Sequence, residues 1–108
     1  MFANTSENDI ILRDALDALQ HVHPTRFTVT YCIDKASSSS WKGCTGHVSK
    51  EMIQKYMPAV SEDNVIYVCG PPGLMNHVSG NKAKDKSQGE VSGLLQELNY
   101  ASSMVFKF

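Results

Sequence analysis

No apolar run in this chain of 108 residues approaches the roughly 18 residues that a membrane-spanning helix needs. Charge of one sign is also lacking. Ten basic and 11 acidic residues are interspersed, for a net charge of -1. Without a basic stripe or block there is no electrostatic footprint for a phosphate backbone, so nucleic acid is excluded as a partner. The opening "MFANTSEND" turns polar within three residues, so no signal peptide is expected. Asn4-Thr5-Ser6 matches a glycosylation sequon, but without such a signal it carries no weight. Cysteine is scarce: Cys32, Cys44 and Cys69 are an odd number with no C-x-x-C pair. That argues against a zinc site and against a disulfide framework, and reduced thiols are expected. His21, His23 and His77 share no ligand spacing and are expected on the surface, so no metal is expected. No internal repeat is visible, and the one low-complexity stretch, "ASSSSW" at 36–41, predicts a flexible loop.

What is present is an alternation of helix and strand signals. Phe2-Ala3 closes a strand. Thr5-Ser6 offers caps to a helix with Glu7 and Asp9 in its first turn, where negative charge suits the dipole. Ile11, Ala15, Leu19 and Val22 recur at helical spacing, Leu12 and Leu16 widen the stripe, and Pro24 ends it. "RFTVTYCID" at 26–34 alternates and is rich in β-formers, predicting a strand. The serine loop leads into an irregular segment, Trp41 to Gly46. Ser49 caps a short helix carrying Met52, Ile53, Tyr56 and Met57, stopped by Pro58. "NVIYVCG" at 64–70 is the best strand, apolar enough for a central position covered on both faces. Pro72 suits the first turn of a helix that carries Leu74, Met75 and Val78 and ends near Gly80. Past a polar loop, Ser87 to Glu90 reads as a capping box. Val91, Leu94, Leu95 and Leu98 then mark an amphipathic helix, and "SMVFKF" a final strand. The order is that of an α/β domain with a parallel sheet, and right-handed crossovers put helices on both faces.

In open α/β sheets, ligands bind at the carboxyl ends of the strands. Ala3-Asn4-Thr5, Asp34 and Cys69-Gly70 all fall at such ends. The Gly-Pro-Pro turn after Cys69 exposes backbone and opens a helix whose first turn can face an anion or a polar ring. Taken alone, Cys-Gly-Pro-Pro-Gly is equally a tight βα turn beside a packed thiol.

The stretches "FANTSENDIILRDALDAL", "RFTVTYCIDKA", "WKGCTGHVSKEMI", "VIYVCGPPGLM" and "VFKF" follow one another in this order. Together they resemble the pyridine-nucleotide half of NADH-cytochrome b5 reductases, within the ferredoxin-reductase-like flavoenzymes. "SGNKAKDKSQGEVSGLLQELNY" with "VFKF" is most like the fungal mitochondrial-type members. The resemblance covers nearly the whole chain. Ser6 stands where threonine is usual, Cys44 where glycine is common and His47 where an aromatic is usual. The last two affect the fine geometry of the loop rather than the fold.

The resemblance implies a Rossmann-like parallel sheet with helices on both faces. It also implies an oxidoreductase using NADH and FAD, which passes electrons singly to cytochrome b5 or a similar haem protein. Residue by residue, Cys69, Gly70 and Pro71, with Pro72 after them, inherit the place beside the nicotinamide. Cys69 there orients the ring for hydride transfer and need not be a nucleophile. Asp34 inherits the carboxylate that faces the adenosine ribose; it accepts from two hydroxyls and repels a 2′-phosphate, favouring NADH over NADPH. Asn4 and Thr5 sit at the neighbouring strand end near the adenosine half, where helix capping explains Thr5 equally well. Gly43 and Gly46 shape the loop after Asp34, with Trp41 as its anchor. Phe108 resembles a terminal aromatic near the flavin, and is equally a strand-end core residue.

The same resemblance makes the chain a partial NAD-binding domain over 1–108. An FAD-binding barrel and a first βα unit with its glycine-rich phosphate loop are not seen in the sequence. In the family's strand order, 3-2-1-4-5, that first strand is central, so unpaired strand edges and exposed apolar helix faces are expected. The isolated chain is then expected to be inactive. Its setting is expected to be intracellular, at the mitochondrial outer membrane or intermembrane space or the endoplasmic reticulum, through an anchor outside this chain. A different class of function, a short stand-alone nucleotide-binding or protein-interaction module without redox activity, fits the same residues.

Overall fold

β-branched and aromatic residues draw three short strands into one parallel sheet in the first part of the chain. They are β1 (Phe2–Asn4), β2 (Tyr31–Ile33) and β3 (Cys44–Thr45), in the order β1-β2-β3. The computed structural model describes residues 1–108 and divides them into two compact units, Met1–Met57 and Pro58–Phe108. Ala3 pairs with Cys32 and Asn4 with Ile33, while Cys32 pairs with Cys44 and Ile33 with Thr45. Cys32 and Ile33, on the middle strand, are each 1% exposed. No helix in either unit is long and apolar enough to cross a membrane.

The strand expected over 26–34 is shorter than its alternation suggested. The amides of Arg26 and Phe27 both bond to the His23 carbonyl, and the Val29 amide donates to Gln20 Oε1 at 2.7 Å. The helix end and a side chain therefore take the donors that a ladder would have used. The segment expected to be irregular, in contrast, contains β3. Its entry depends on Gly43, where a Cβ would collide with the Trp41 ring and the Tyr31 carbonyl.

The helix expected to start near Glu7 is divided. Ser6 caps only a 3-10 turn, Glu7–Asp9, its amide and hydroxyl both donating to Asp9 Oδ2 at 2.9 and 2.7 Å. Leu12 then adopts a left-handed backbone (φ 56°), and α1 runs from Arg13–Val22. Nor is the stripe a core face within this unit: Ile11, Leu12 and Val22 are 68%, 71% and 66% exposed, and α1 buries no residue. Ile10, just before the left-handed turn, is the residue that enters the core. The second helix, α2 (Lys50–Tyr56), forms as expected. Ser49 Oγ accepts from the Met52 amide at 3.2 Å, and Ile53 is buried.

The second unit pairs β4 (Ile66–Val68) with β5 (Val105–Lys107), parallel, Tyr67 opposite Phe106. Pro72 opens α3 (Pro72–Val78), and a short α4 follows (Gly93–Glu97). The core joins Ile66, Val68 and Val105 to Met75, Val78 and Leu95. Tyr100 is buried beside them, its hydroxyl donating to the Pro58 carbonyl at 2.9 Å. Contrary to expectation, β4 is covered on one face only within its unit. Ile66 and Val68 point inward, whereas Tyr67 and Phe106 are exposed on the other side. Strand alternation forces this, because successive side chains take opposite faces.

The expected capping box at Ser87 to Glu90 does not form. Gly89 takes a left-handed conformation (φ 64°), and Ser87 turns its hydroxyl back to Asp85 Oδ1. Gln88 instead serves the sheet: its Oε1 accepts from the Lys107 amide at 2.6 Å and its Nε2 donates to the Lys107 carbonyl at 3.0 Å. The side-chain amide thus replaces a further strand along that stretch of β5. The expected amphipathic helix shrinks to α4, with Val91 buried ahead of it.

Candidate functional site

Within the first unit, the carboxyl ends of β1 and β2 bring together Asn4, Thr5, Asp34 and Gly46. The Asp34 amide donates to the Thr5 carbonyl at 3.2 Å. The Gly46 amide donates to the carbonyls of Ile33 and Asp34, at 2.8 and 3.2 Å. These bonds fix the backbone and leave the Asp34 side chain exposed to solvent. Gly46 has φ 85°, which disfavours any side chain, and the space where its Cβ would stand is open. At the end of β1, across β2 from Gly46, the Asn4 Nδ2 is buried without a hydrogen-bond partner. A buried donor left unpaired costs about 1–3 kcal/mol. An exposed carboxylate, an unused amide donor and open space above a glycine suit a polyhydroxylated ligand such as the ribose of a dinucleotide.

Within the second unit, the carboxyl ends of β4 and β5 bring together Cys69, Gly70, Pro71, Pro72 and Phe108. The Phe108 amide donates to the Val68 carbonyl at 3.0 Å, which places Phe108 next to Cys69 in the ladder. The Cys69 thiol is exposed, not packed, and so are Gly70 and both prolines. A Cβ at Gly70 would stand 3.0 Å from Leu74 Cδ2, so the Leu74 side chain would have to shift. Pro71 (φ -64°) and Pro72, at the first helical position, stiffen the turn. Phe108 is exposed as well, its ring 5.1 Å from Phe106 and 6.1 Å from Tyr67. These three rings form an open aromatic surface at the strand ends. A flat heteroaromatic ring suits such a surface. The two groups of residues belong to different units of the chain.

One cluster gave no sign in the sequence beyond the packing role of Trp41. The Arg13 guanidinium lies over two rings, 5.6 Å from the centre of Tyr31 and 5.5 Å from that of Trp41. Glu7 holds it at 3.3 Å, and Asp17 stands 3.9 Å away. The Tyr31 hydroxyl donates to Asp17 Oδ1 at 2.7 Å, and Trp41 Nε1 to the Cys44 carbonyl at 3.0 Å. Partial burial, with the bond to Asp17, pushes the Tyr31 phenol up to about 12. A groove of about 350 Å³ opens here, between Arg13, Trp41, Lys42, Cys44 and Tyr56. Arg13, Glu7 and Asp17 there already have partners. Only folding brings positions 13, 31 and 41 together, so no spacing in the sequence announces the cluster. No group of three or more potential metal ligands exists in the structure.

Comparison with known proteins gives a consistent result. The family described as "Oxidoreductase NAD-binding domain" matches residues 1–80. An NADH-cytochrome b5 reductase-like protein of Arabidopsis thaliana is 49% identical over 108 residues, all of this chain and 32% of that protein. NADH-cytochrome b5 reductase 2 of Meyerozyma guilliermondii is 44% identical over 107 residues, 99% of this chain and 36% of that protein. The chain thus spans about a third of the length of the curated relatives it matches. Among solved structures, the cytochrome b5 reductase domain of Ulva prolifera nitrate reductase superposes with a TM-score of 0.77 at 23% identity. The match covers 98% of this chain and 36% of that one. The CS-b5R domains of human Ncb5or, in their NAD+ form, give 0.73 at 24% identity, over all of this chain and 27% of that one. The fold is therefore Rossmann-like, its parallel strands lying in two small sheets. NADH and FAD are the cofactors that fit this family.

Proposed function

Because the chain belongs to the oxidoreductase NAD-binding domain family, we propose that it is the NADH-binding portion of a cytochrome b5 reductase-type flavoenzyme. With both cofactors bound, NADH would supply a hydride to FAD for single-electron transfer onward to a haem protein such as cytochrome b5. The chain's own residues bind and orient. Asp34 accepts hydrogen bonds from the adenosine ribose, helped by Asn4 and Thr5, over the opening left by Gly46. Its negative charge opposes a 2′-phosphate, so NADH is preferred to NADPH. Cys69, Gly70, Pro71 and Pro72 line the nicotinamide, the rigid turn holding backbone and thiol at the ring's edge. Phe108 provides the aromatic surface next to them. The isolated 108 residues bind nucleotide without carrying electrons onward.

The observation that carries this proposal is the exposed Cys69 thiol at the end of β4, ahead of the Gly-Pro-Pro turn and beside Phe108. The test is Cys69→Ser in the flavin-containing parent, followed by stopped-flow flavin reduction. Hydride transfer slows more than NADH binding weakens. A loss in binding alone, with an unchanged rate at saturation, would reject the orienting role.

A further inference from the structure

Two of the three thiols face each other across one rung of the sheet. Cys32, in the middle of β2, has Cys44 of β3 as its Cα partner in the parallel ladder. Residues in register on adjacent strands point to the same face, and neighbouring strands lie about 4.8 Å apart. That spacing falls inside the roughly 4.4–6.8 Å between Cα atoms that a disulfide spans. Both thiols are free. They differ in access: Cys32 is 1% exposed, whereas Cys44 is only half-buried.

We propose that Cys32 and Cys44 form an oxidisable pair, which closes a disulfide across the β2–β3 ladder when a peroxide reaches the more accessible Cys44. The Cys44 sulfur attacks the near oxygen of hydrogen peroxide; the O–O bond breaks, and the other oxygen leaves as water once protonated. Cys44 is then a sulfenic acid. The Cys32 sulfur attacks the Cys44 sulfur, the S–O bond breaks, a second water leaves, and the S–S bond forms. Two thiols are oxidised by one peroxide, which is reduced to two waters, and the thiol protons leave with the oxygen atoms. Burial, reinforced by the neighbouring Cys44, pushes the Cys32 thiol up to about 12. Cys32 is therefore the resolving thiol and Cys44 the reacting one.

The position gives the bond a consequence. Gly46, two residues beyond Cys44, donates its amide to the carbonyls of Ile33 and Asp34. A cross-link at Cys32 and Cys44 clamps the rung immediately behind the strand end that carries Asp34. It is a reversible fastening of the backbone under that carboxylate, and it exists whether or not Asp34 binds ribose.

The test is peroxide treatment of the native 108-residue chain, followed by alkylation of remaining thiols, intact mass measurement and peptide mapping. The chain loses two hydrogens, the linked peptide joins Cys32 to Cys44, and Cys69 stays alkylatable. In denaturant the same treatment yields a mixture that includes linkages to Cys69. In Cys69→Ser the native product is unchanged, and in Cys44→Ser Cys32 stays alkylatable. Three results would overturn the proposal: oxygen atoms retained on Cys44 with Cys32 free, both thiols surviving the peroxide, or the same mixture of linkages in native and denatured chains.

Discussion

The guanidinium of Arg13 stands 5.5 Å from the centre of the Trp41 ring, with Tyr31 on its other flank. This contact ties the first turn of α1 to the loop that leaves Asp34 and re-enters the sheet at β3. Glu7 and Asp17 hold the cation in place, and Trp41 is fastened to the Cys44 carbonyl. The loop that carries four consecutive serines thus ends on an aromatic anchor.

Replacing Arg13 with Ala removes both ring contacts and leaves the groove open to water. About 1 kcal/mol of stability is lost, the scale of cation–π contacts at partly exposed sites. Trp41 is the only tryptophan. Its emission therefore shifts to the red in the variant, and urea unfolding followed at that emission gives the stability change. An Arg13→Lys variant recovers only part of it, because an ammonium does not stack flat on two rings.

Tyr31 makes the unit sensitive to alkali. Burial first, and the bond to Asp17 second, raise its pKa from 10.0 to about 12. The folded state holds this proton more tightly than the unfolded chain does. Its contribution to stability is therefore complete below about pH 10 and is lost as pH rises through about 12. Absorbance titration of the phenolate shows a late step near pH 12 that is missing in Tyr31→Phe.

The second unit depends on Gln88. Its two bonds to the backbone of Lys107 close the ladder there, and the Lys107 side chain is fully buried, donating to the Glu90 carbonyl at 2.6 Å. Gln88→Ala leaves an amide and a carbonyl without partners, and destabilises the unit by about 2 kcal/mol. Amide exchange at Lys107, slow in the native chain, becomes fast in the variant. Gln88→Glu restores the acceptor but not the donor and recovers only the amide's protection.

What was legible in the sequence follows from the range of the interactions involved. Ser49 and α2, Pro72 and α3, and the terminal strand are set by neighbours within a few residues, and all form where their caps, prolines and β-formers indicate. The strand-end positions of Asn4, Asp34, Cys69 and Phe108 were legible for the same reason. Long-range contacts were not. The capping-box pattern at Ser87 fails because Gln88 is recruited by a strand 19 residues away. Lys107 is buried against the usual habit of lysine because backbone carbonyls of the loop receive its ammonium. The expected helix over Glu7 to Val22 breaks at Leu12, whose left-handed backbone no local pattern indicates. β3 has two residues, too few to show periodicity, and only its register reveals the facing cysteines.

Asp34 decides the account. Calorimetric titration of the wild-type chain and of Asp34→Asn with NADH and with NADPH measures the discrimination directly. The wild-type chain binds NADH more tightly than NADPH. In Asp34→Asn that preference shrinks by about tenfold, equivalent to about 1.4 kcal/mol, as the repulsion of the 2′-phosphate and the bonds to the ribose hydroxyls are lost together. An unchanged ratio of the two affinities, or equal affinity of the wild-type chain for both nucleotides, would contradict the placement of the ribose at the end of β2.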